Sequence, residues 1–186
     1  MAQLIKCKAC GYVAKEGSVT DVCPACGVPA KMFEPYKDPL SEKRRRALDI
    51  HLHPVMVHFP QASAFALPAL ALLALFTPPA ISSPLVDTIK VISFFLPLLI
   101  IVAFLTGIFD GKIRFKKITT PFLKIKMIIG GFFLILSLAL IVVAFSHRFP
   151  SSPAMEAFLV LALLAAGCGM ALGFIGGKLL TAKFPG

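Results

Sequence analysis

Acidic residues are scarce in this chain. Nine Asp and Glu stand against nineteen Lys and Arg in 186 residues, and after residue 50 only Asp87, Asp110 and Glu156 remain. The long apolar part therefore lacks a carboxylate pair for acid–base work, and no phosphate-cradling loop or nucleophile–base pairing makes up for it. Charge of either sign is sparse too, at 15% of residues, so the net +10 reflects missing acids rather than a dense cationic surface. That argues against a nucleic-acid partner. Trp is absent, apolar residues reach 58% and the mean hydropathy is +0.87. An ordinary soluble domain, in which about half of the residues are apolar, is excluded. No apolar stretch precedes the Cys-bearing N-terminal segment, so no signal peptide is expected and that segment is expected to stay in the cytosol.

What is present divides in two. Residues 1–50 carry nine Lys/Arg, six Asp/Glu and four of the five Cys; the rest carry ten Lys/Arg, three Asp/Glu, all four His and the fifth Cys. A module of about 40 residues is too small to hold itself together by burial alone and usually needs a metal, disulfides or a partner. After Phe33 the chain turns polar and Pro-punctuated, then reaches the run Glu42, Lys43, Arg44, Arg45, Arg46. This reads as a basic linker lying near lipid head groups.

Four apolar stretches follow, Val55–Phe76, Thr88–Phe109, Met127–Ser146 and Ala157–Gly177. Each has the roughly 20 residues that carry a helix through about 30 Å of hydrocarbon. Four transmembrane helices are expected, because a helix satisfies its own backbone in lipid. Pro60, Pro68 and Pro97 fall inside the first two and predict kinks. Lys43–Arg46, the cluster Lys112, Arg114, Lys116, Lys117, Lys124 and Lys126, and finally Lys178 and Lys183 all fall at one end of the bundle, against Lys90 and Arg148 at the other. The positive-inside rule then puts both termini in the cytosol and makes the chain a multi-pass protein of the inner or cytoplasmic membrane. So few intramembrane charges argue against an ion-coupled transporter.

The cysteines form two CxxCG knuckles, Cys7-Lys8-Ala9-Cys10-Gly11 and Cys23-Pro24-Ala25-Cys26-Gly27. In a reducing compartment such pairs are metal ligands rather than disulfides. Each knuckle brings two thiolates to one metal, with Gly permitting the tight turn, and two knuckles complete a tetrahedral site suited to iron or zinc. Residues 3–36, from Cys7-Lys-Ala-Cys-Gly-Tyr-Val through Cys23-Pro-Ala-Cys-Gly-Val-Pro to Phe33-Glu34, resemble the rubredoxin-like domain of rubrerythrins. The resemblance implies one iron, cycling between ferric and ferrous, on Cys7, Cys10, Cys23 and Cys26. A structural zinc ribbon is the alternative. Tyr12 and Phe33 are expected to supply the small apolar core.

His51-Leu52-His53-Pro54-Val55-Met56-Val57-His58-Phe59-Pro60 opens the first apolar stretch. Pro54 suits a first helical turn, which makes His53 the cap and puts His58 one turn further, at the edge of the bilayer. Ionisable groups at that depth are functional candidates, and an imidazole there can ligate haem, relay a proton or bind a quinone head group. Capping by His53 and a plain interhelical hydrogen bond from His58 are the structural alternatives. His51 reads as a linker residue and His147 as interfacial. The block His53–Pro60 and the four apolar stretches, over residues 50–180, resemble the DUF2231 family of predicted membrane proteins, which implies a topology and little chemistry. Its members carry a further histidine near the third helix, where this chain has Lys124, Lys126 and Met127. A haem b would thus need His53 or His58 plus Met127, Met170 or a histidine of another subunit. Gly169, Gly173 and Gly177 continue the face of Ala165 and read as a packing seam or a homodimer face, with Cys168 as a small buried residue.

The expected architecture is an all-α membrane bundle of four transmembrane helices with a small N-terminal rubredoxin-like metal-binding domain: residues 1–36, a basic linker 37–53, and the membrane domain 54–180. The expected function is an electron carrier rather than a catalyst. It would pass single electrons between a cytosolic redox protein and a membrane acceptor, haem or quinone, with lipid as its surroundings.

Overall fold

A computed structural model of the chain describes residues 3–38, 40–146 and 149–180; His147, Arg148 and Lys183 lie outside them. The chain divides into two compact units between Arg45 and Arg46.

The first unit is built on three short antiparallel strands, β1 (Leu4–Cys7), β2 (Val13–Lys15) and β3 (Phe33–Tyr36), with β1 in the middle. Leu4 faces Lys15 on one side and Tyr36 on the other, and Cys7 faces Phe33. Pro35 has no N–H for a ladder, and accordingly sits on an edge strand. Burial is minimal: Cys7, Cys23 and Ala14 are covered, while Tyr12 is 41% exposed and Phe33 half-buried. The expectation that Tyr12 forms the core is therefore corrected. In so small a sheet the sulfurs themselves occupy the centre, and the phenol stays in contact with water.

Within the basic linker, the charged run is helical. Helix α1 (Glu42–Asp49) starts where the Ser41 carbonyl accepts the Arg45 N–H, with Glu42 in its first turn. Asp38 precedes it, accepting the Leu40 N–H at 3.0 Å and pairing with Arg45. Helix α2 (Leu52–Met56) is capped not by His53 but by His51, whose backbone is left-handed at φ 53° and whose Nδ1 lies 2.7 Å from the Asp49 carbonyl. His53 is thereby moved into the first turn, facing the bundle.

Four long helices follow: α3 (His58–Phe76), α4 (Pro79–Phe115), α5 (Pro121–Ala144) and α6 (Ser152–Leu180). Pro60 lies in the first turn of α3 instead of inside a helix, and α2 ends at Met56, the residue whose carbonyl the ring of Pro60 cannot accommodate. Pro68 and Pro97 are interior as expected, and so is Pro84, because α4 begins well before Thr88. Pro79 and Pro121 open α4 and α5 at positions where a missing N–H leaves no bond unmade. Each helix packs against two others, α3 on α4 and α6, α5 on α4 and α6. Small residues of α3 and α6 (Ala64, Ala71, Ala162, Ala165) interleave with Leu67, Ile89, Leu96, Leu140 and Phe158 in the core. The outside is apolar too, with Phe94, Leu98, Ile128, Ile135, Val142 and Leu163 exposed. A helix apolar all round is suited to lipid, and all four spans are long and apolar enough to cross a membrane.

Candidate functional site

The two knuckles are built alike. The Cys7 carbonyl accepts the Gly11 N–H at 2.9 Å and the Cys23 carbonyl accepts the Gly27 N–H at 2.8 Å. The Cys7 N–H donates to Tyr12 and the Cys23 N–H to Val28, both at 2.8 Å. Gly11 and Gly27 have φ of 80° and 74°, a conformation that L side chains rarely adopt, which is why each knuckle closes on glycine. The second knuckle is fastened by the antiparallel bridge between Val22 and Pro29, the first by the Lys8 N–H, which donates to Met32 at 2.9 Å.

These turns bring Cys7, Cys10, Cys23 and Cys26 together, with every pair of sulfurs within 4.8 Å and no disulfide among them. Sulfurs of Cys7 and Cys26 are 3.8 Å apart, and those of Cys10 and Cys23 are 3.7 Å apart. Four sulfurs at about 2.3 Å from one tetrahedral ion lie about 3.8 Å from one another, the spacing of the Cys7–Cys26 and Cys10–Cys23 pairs. Cys7 and Cys23 are buried, Cys10 and Cys26 exposed. The protonation chemistry also asks for a cation. The Cys10 backbone N–H brings the Cys7 thiol down to about 7 although its burial acts the other way. The Val28 N–H lowers Cys26, but the Cys10 thiol, burial and the Cys23 and Cys7 thiols together push it up to about 12. The cluster thus ionises one sulfur at the expense of its neighbour, and a bound metal is what allows all four to be thiolates.

Within the helical unit, one end of the bundle holds a cavity of about 350 Å³ where α3 and α5 begin and α4 and α6 end. His53 and His58 both line it, but differently. His53 is half-buried with its ring against Gly107, where an added Cβ would come within 2.9 Å, and its Nδ1 lies 3.4 Å from Thr106 Oγ1. His58 is exposed. Nothing in this arrangement supports haem ligation. The sequence reading missed the other polar groups at the wall, Gln61, Asp110, Arg114 and Lys126. Asp110 and Arg114 are ion-paired at 3.3 Å one turn apart, both with largely buried side chains. Their i,i+4 spacing at the end of an apolar helix was the available signal. Gly169 and Gly173 do not form a tight helix–helix seam: the Gln61 side chain lies over them, its Nε2 donating to the Gly169 carbonyl at 3.1 Å.

The first unit is a rubredoxin-like four-cysteine metal site. Residues 6–34 match the family model of the rubrerythrin rubredoxin-like domain. No curated protein and no solved structure matches the chain.

Proposed function

We propose that this protein is a membrane-embedded one-electron carrier whose rubredoxin-like head holds a single iron. The observation that carries the reading is the cluster of four cysteine sulfurs within 4.8 Å of one another inside a segment that matches the rubrerythrin rubredoxin-like domain. Bound iron supplies one-electron chemistry between its ferric and ferrous states. The chain's own contribution is to hold the ion on Cys7, Cys10, Cys23 and Cys26, to shield it on the Cys7 and Cys23 side, and to leave Cys10 and Cys26 at the surface for a redox partner.

The four long apolar helices anchor the head to a membrane, with both termini cytosolic on the charge distribution, so the head is held at high effective concentration near its acceptor. That acceptor is a quinone or another membrane redox centre, and the donor is a soluble redox protein. The likeness of residues 50–180 to DUF2231 membrane proteins rests on the sequence pattern alone and adds no chemistry. The competing reading is a zinc ribbon that stabilises an assembly, since zinc–thiolate bonds have the same length. Metal analysis and a visible spectrum of protein purified without oxygen, from cells supplied with both metals, separate the two. Iron with thiolate charge-transfer bands is expected; zinc alone with a colourless protein overturns the reading.

A further inference from the structure

The cavity at the end of the bundle combines two kinds of polar group that an anion site would not combine. Lys126 reaches it from α5 with no hydrogen-bond or ion-pair contact among the described residues, and its Nζ would lie 3.6 Å from a Cβ added at Gly176. Arg114 is already matched by Asp110. Asp110 lies close enough to act on Lys126 electrostatically without a direct contact, so the Lys126 N–H groups keep donor capacity for a ligand. His53 offers the opposite. The Thr106 hydroxyl directs its one proton to the Val102 and Ala103 carbonyls, at 3.0 Å each, so toward His53 its oxygen can only accept. In the tautomer that carries its proton on Nδ1, toward the Thr106 oxygen, His53 leaves Nε2 as an acceptor. A phosphate or carboxylate head accepts hydrogen bonds only. It would leave His53 Nε2 unmet and place a second negative charge beside Asp110.

The walls between these groups are apolar and partly aromatic, with Phe104, Phe115 and Met127 among them. From Gln61 the cavity continues into a groove between α3 and α6, floored by Gly173 and Gly177 and flanked by Phe65 and Phe174. A Cβ at Gly177 would meet nothing within 4 Å among the described residues, so none of these fills this stretch of the glycine face. A ligand fitting both parts has a flat head that alternates between accepting and donating hydrogen bonds, and a long hydrocarbon tail.

We propose that this cavity binds the head group of an isoprenoid quinone and of its quinol, with the tail in the α3–α6 groove. A quinone carbonyl accepts from Lys126, and a quinol hydroxyl donates to His53 Nε2. Gln61, tied to Gly169, marks the passage from head pocket to groove. The choice of a quinone among amphiphiles rests on the electron-carrier reading; the hydrogen-bond pattern and the groove do not.

The test is photolabelling of the full-length protein in liposomes with an azido-quinone carrying a short prenyl tail, followed by peptide mapping. Saturable labelling of α2, α4 or α5 peptides, displaced by unlabelled quinone, is expected. Lys126→Gln should weaken it about tenfold and Lys126→Arg should largely restore it, with thermal melting checking that both variants fold. Labelling that does not saturate, that is indifferent to Lys126→Gln and His53→Ala in folded protein, or that is displaced by phosphatidylglycerol and not by quinone overturns the proposal. The metal is measured on the same samples. Zinc in the head with labelling retained defeats the electron-carrier reading and leaves the quinone site standing; iron in the head with labelling absent does the reverse.

Discussion

The sulfurs of Cys7 and Cys26 stand 3.8 Å apart although 19 positions separate them in the chain. Each belongs to a different knuckle, one buried and one exposed, so the contact ties the end of β1 to the far turn of the head. Very little else does: among the described residues of this unit, three short strands and the buried Ala14 and Leu40 are all that accompany the buried sulfurs. Folding of the head and binding of the metal are therefore expected to be coupled.

It follows that Cys26→Ser, which removes an exposed ligand and no apolar core, should unfold the head and spare the bundle. The expected result is loss of bound metal after dialysis and fast amide exchange over residues 3–36, with the helical circular dichroism unchanged. An unchanged metal content would contradict the four-thiolate assignment.

Metal affinity should rise with pH, and more steeply on the acid side. Below about 7 both the Cys7 and the Cys26 thiols carry protons that the ion must displace; above it Cys7 is already a thiolate while Cys26, at about 12, still has one to lose. From this pair alone, affinity should climb about a hundredfold per pH unit below 7 and about tenfold above it. Competition against a chelator across pH 5.5 to 8.5, on the order of three units, measures the change of slope.

Gly11→Ala and Gly27→Ala test the knuckles separately. Space is available at both, since an added Cβ meets only Lys6 Cε at 3.6 Å beside Gly11 and nothing beside Gly27. The cost is therefore that of the left-handed backbone, about 1–2 kcal/mol per site. Each variant should release its metal to a chelator at roughly ten times lower chelator concentration than the parent, read from the loss of the visible bands.

The membrane orientation has its own test. Lys117 lies in the basic connection between α4 and α5, and Ser151 at the start of α6. In intact spheroplasts an impermeant maleimide should label Ser151→Cys and not Lys117→Cys, with both labelled once the membrane is opened. The reverse pattern would invert the topology and put the cysteine head outside.

The parts of this molecule that could be read from residues alone are those fixed by local chemistry. CxxCG determines a turn within five residues, and two of them determine a cage whatever surrounds them. Hydropathy found the four helices but not their ends, since it senses the hydrocarbon and not the helix: α4 starts at Pro79, nine residues before the apolar run at Thr88. The Pro78–Pro79 pair was the better signal. The cavity was not legible, because Gln61, Asp110 and Lys126 belong to three helices and only packing reveals that they face one another. Arg114 and Lys126 entered the sequence reading mainly as topological charge; in the fold both line the cavity. His53, expected as the cap, lies in the first turn instead, because His51 takes the cap position.

The central claim is that the head carries one electron, and a reductive titration of the membrane-embedded protein addresses it most directly. Stepwise addition of a calibrated reductant, followed by visible absorption and electron paramagnetic resonance, should abolish a high-spin ferric signal and the thiolate charge-transfer bands after one electron per chain, and air should restore both. Protein that takes up no electrons while holding one metal ion per chain would show the cysteine cage to be a zinc staple and would contradict the account.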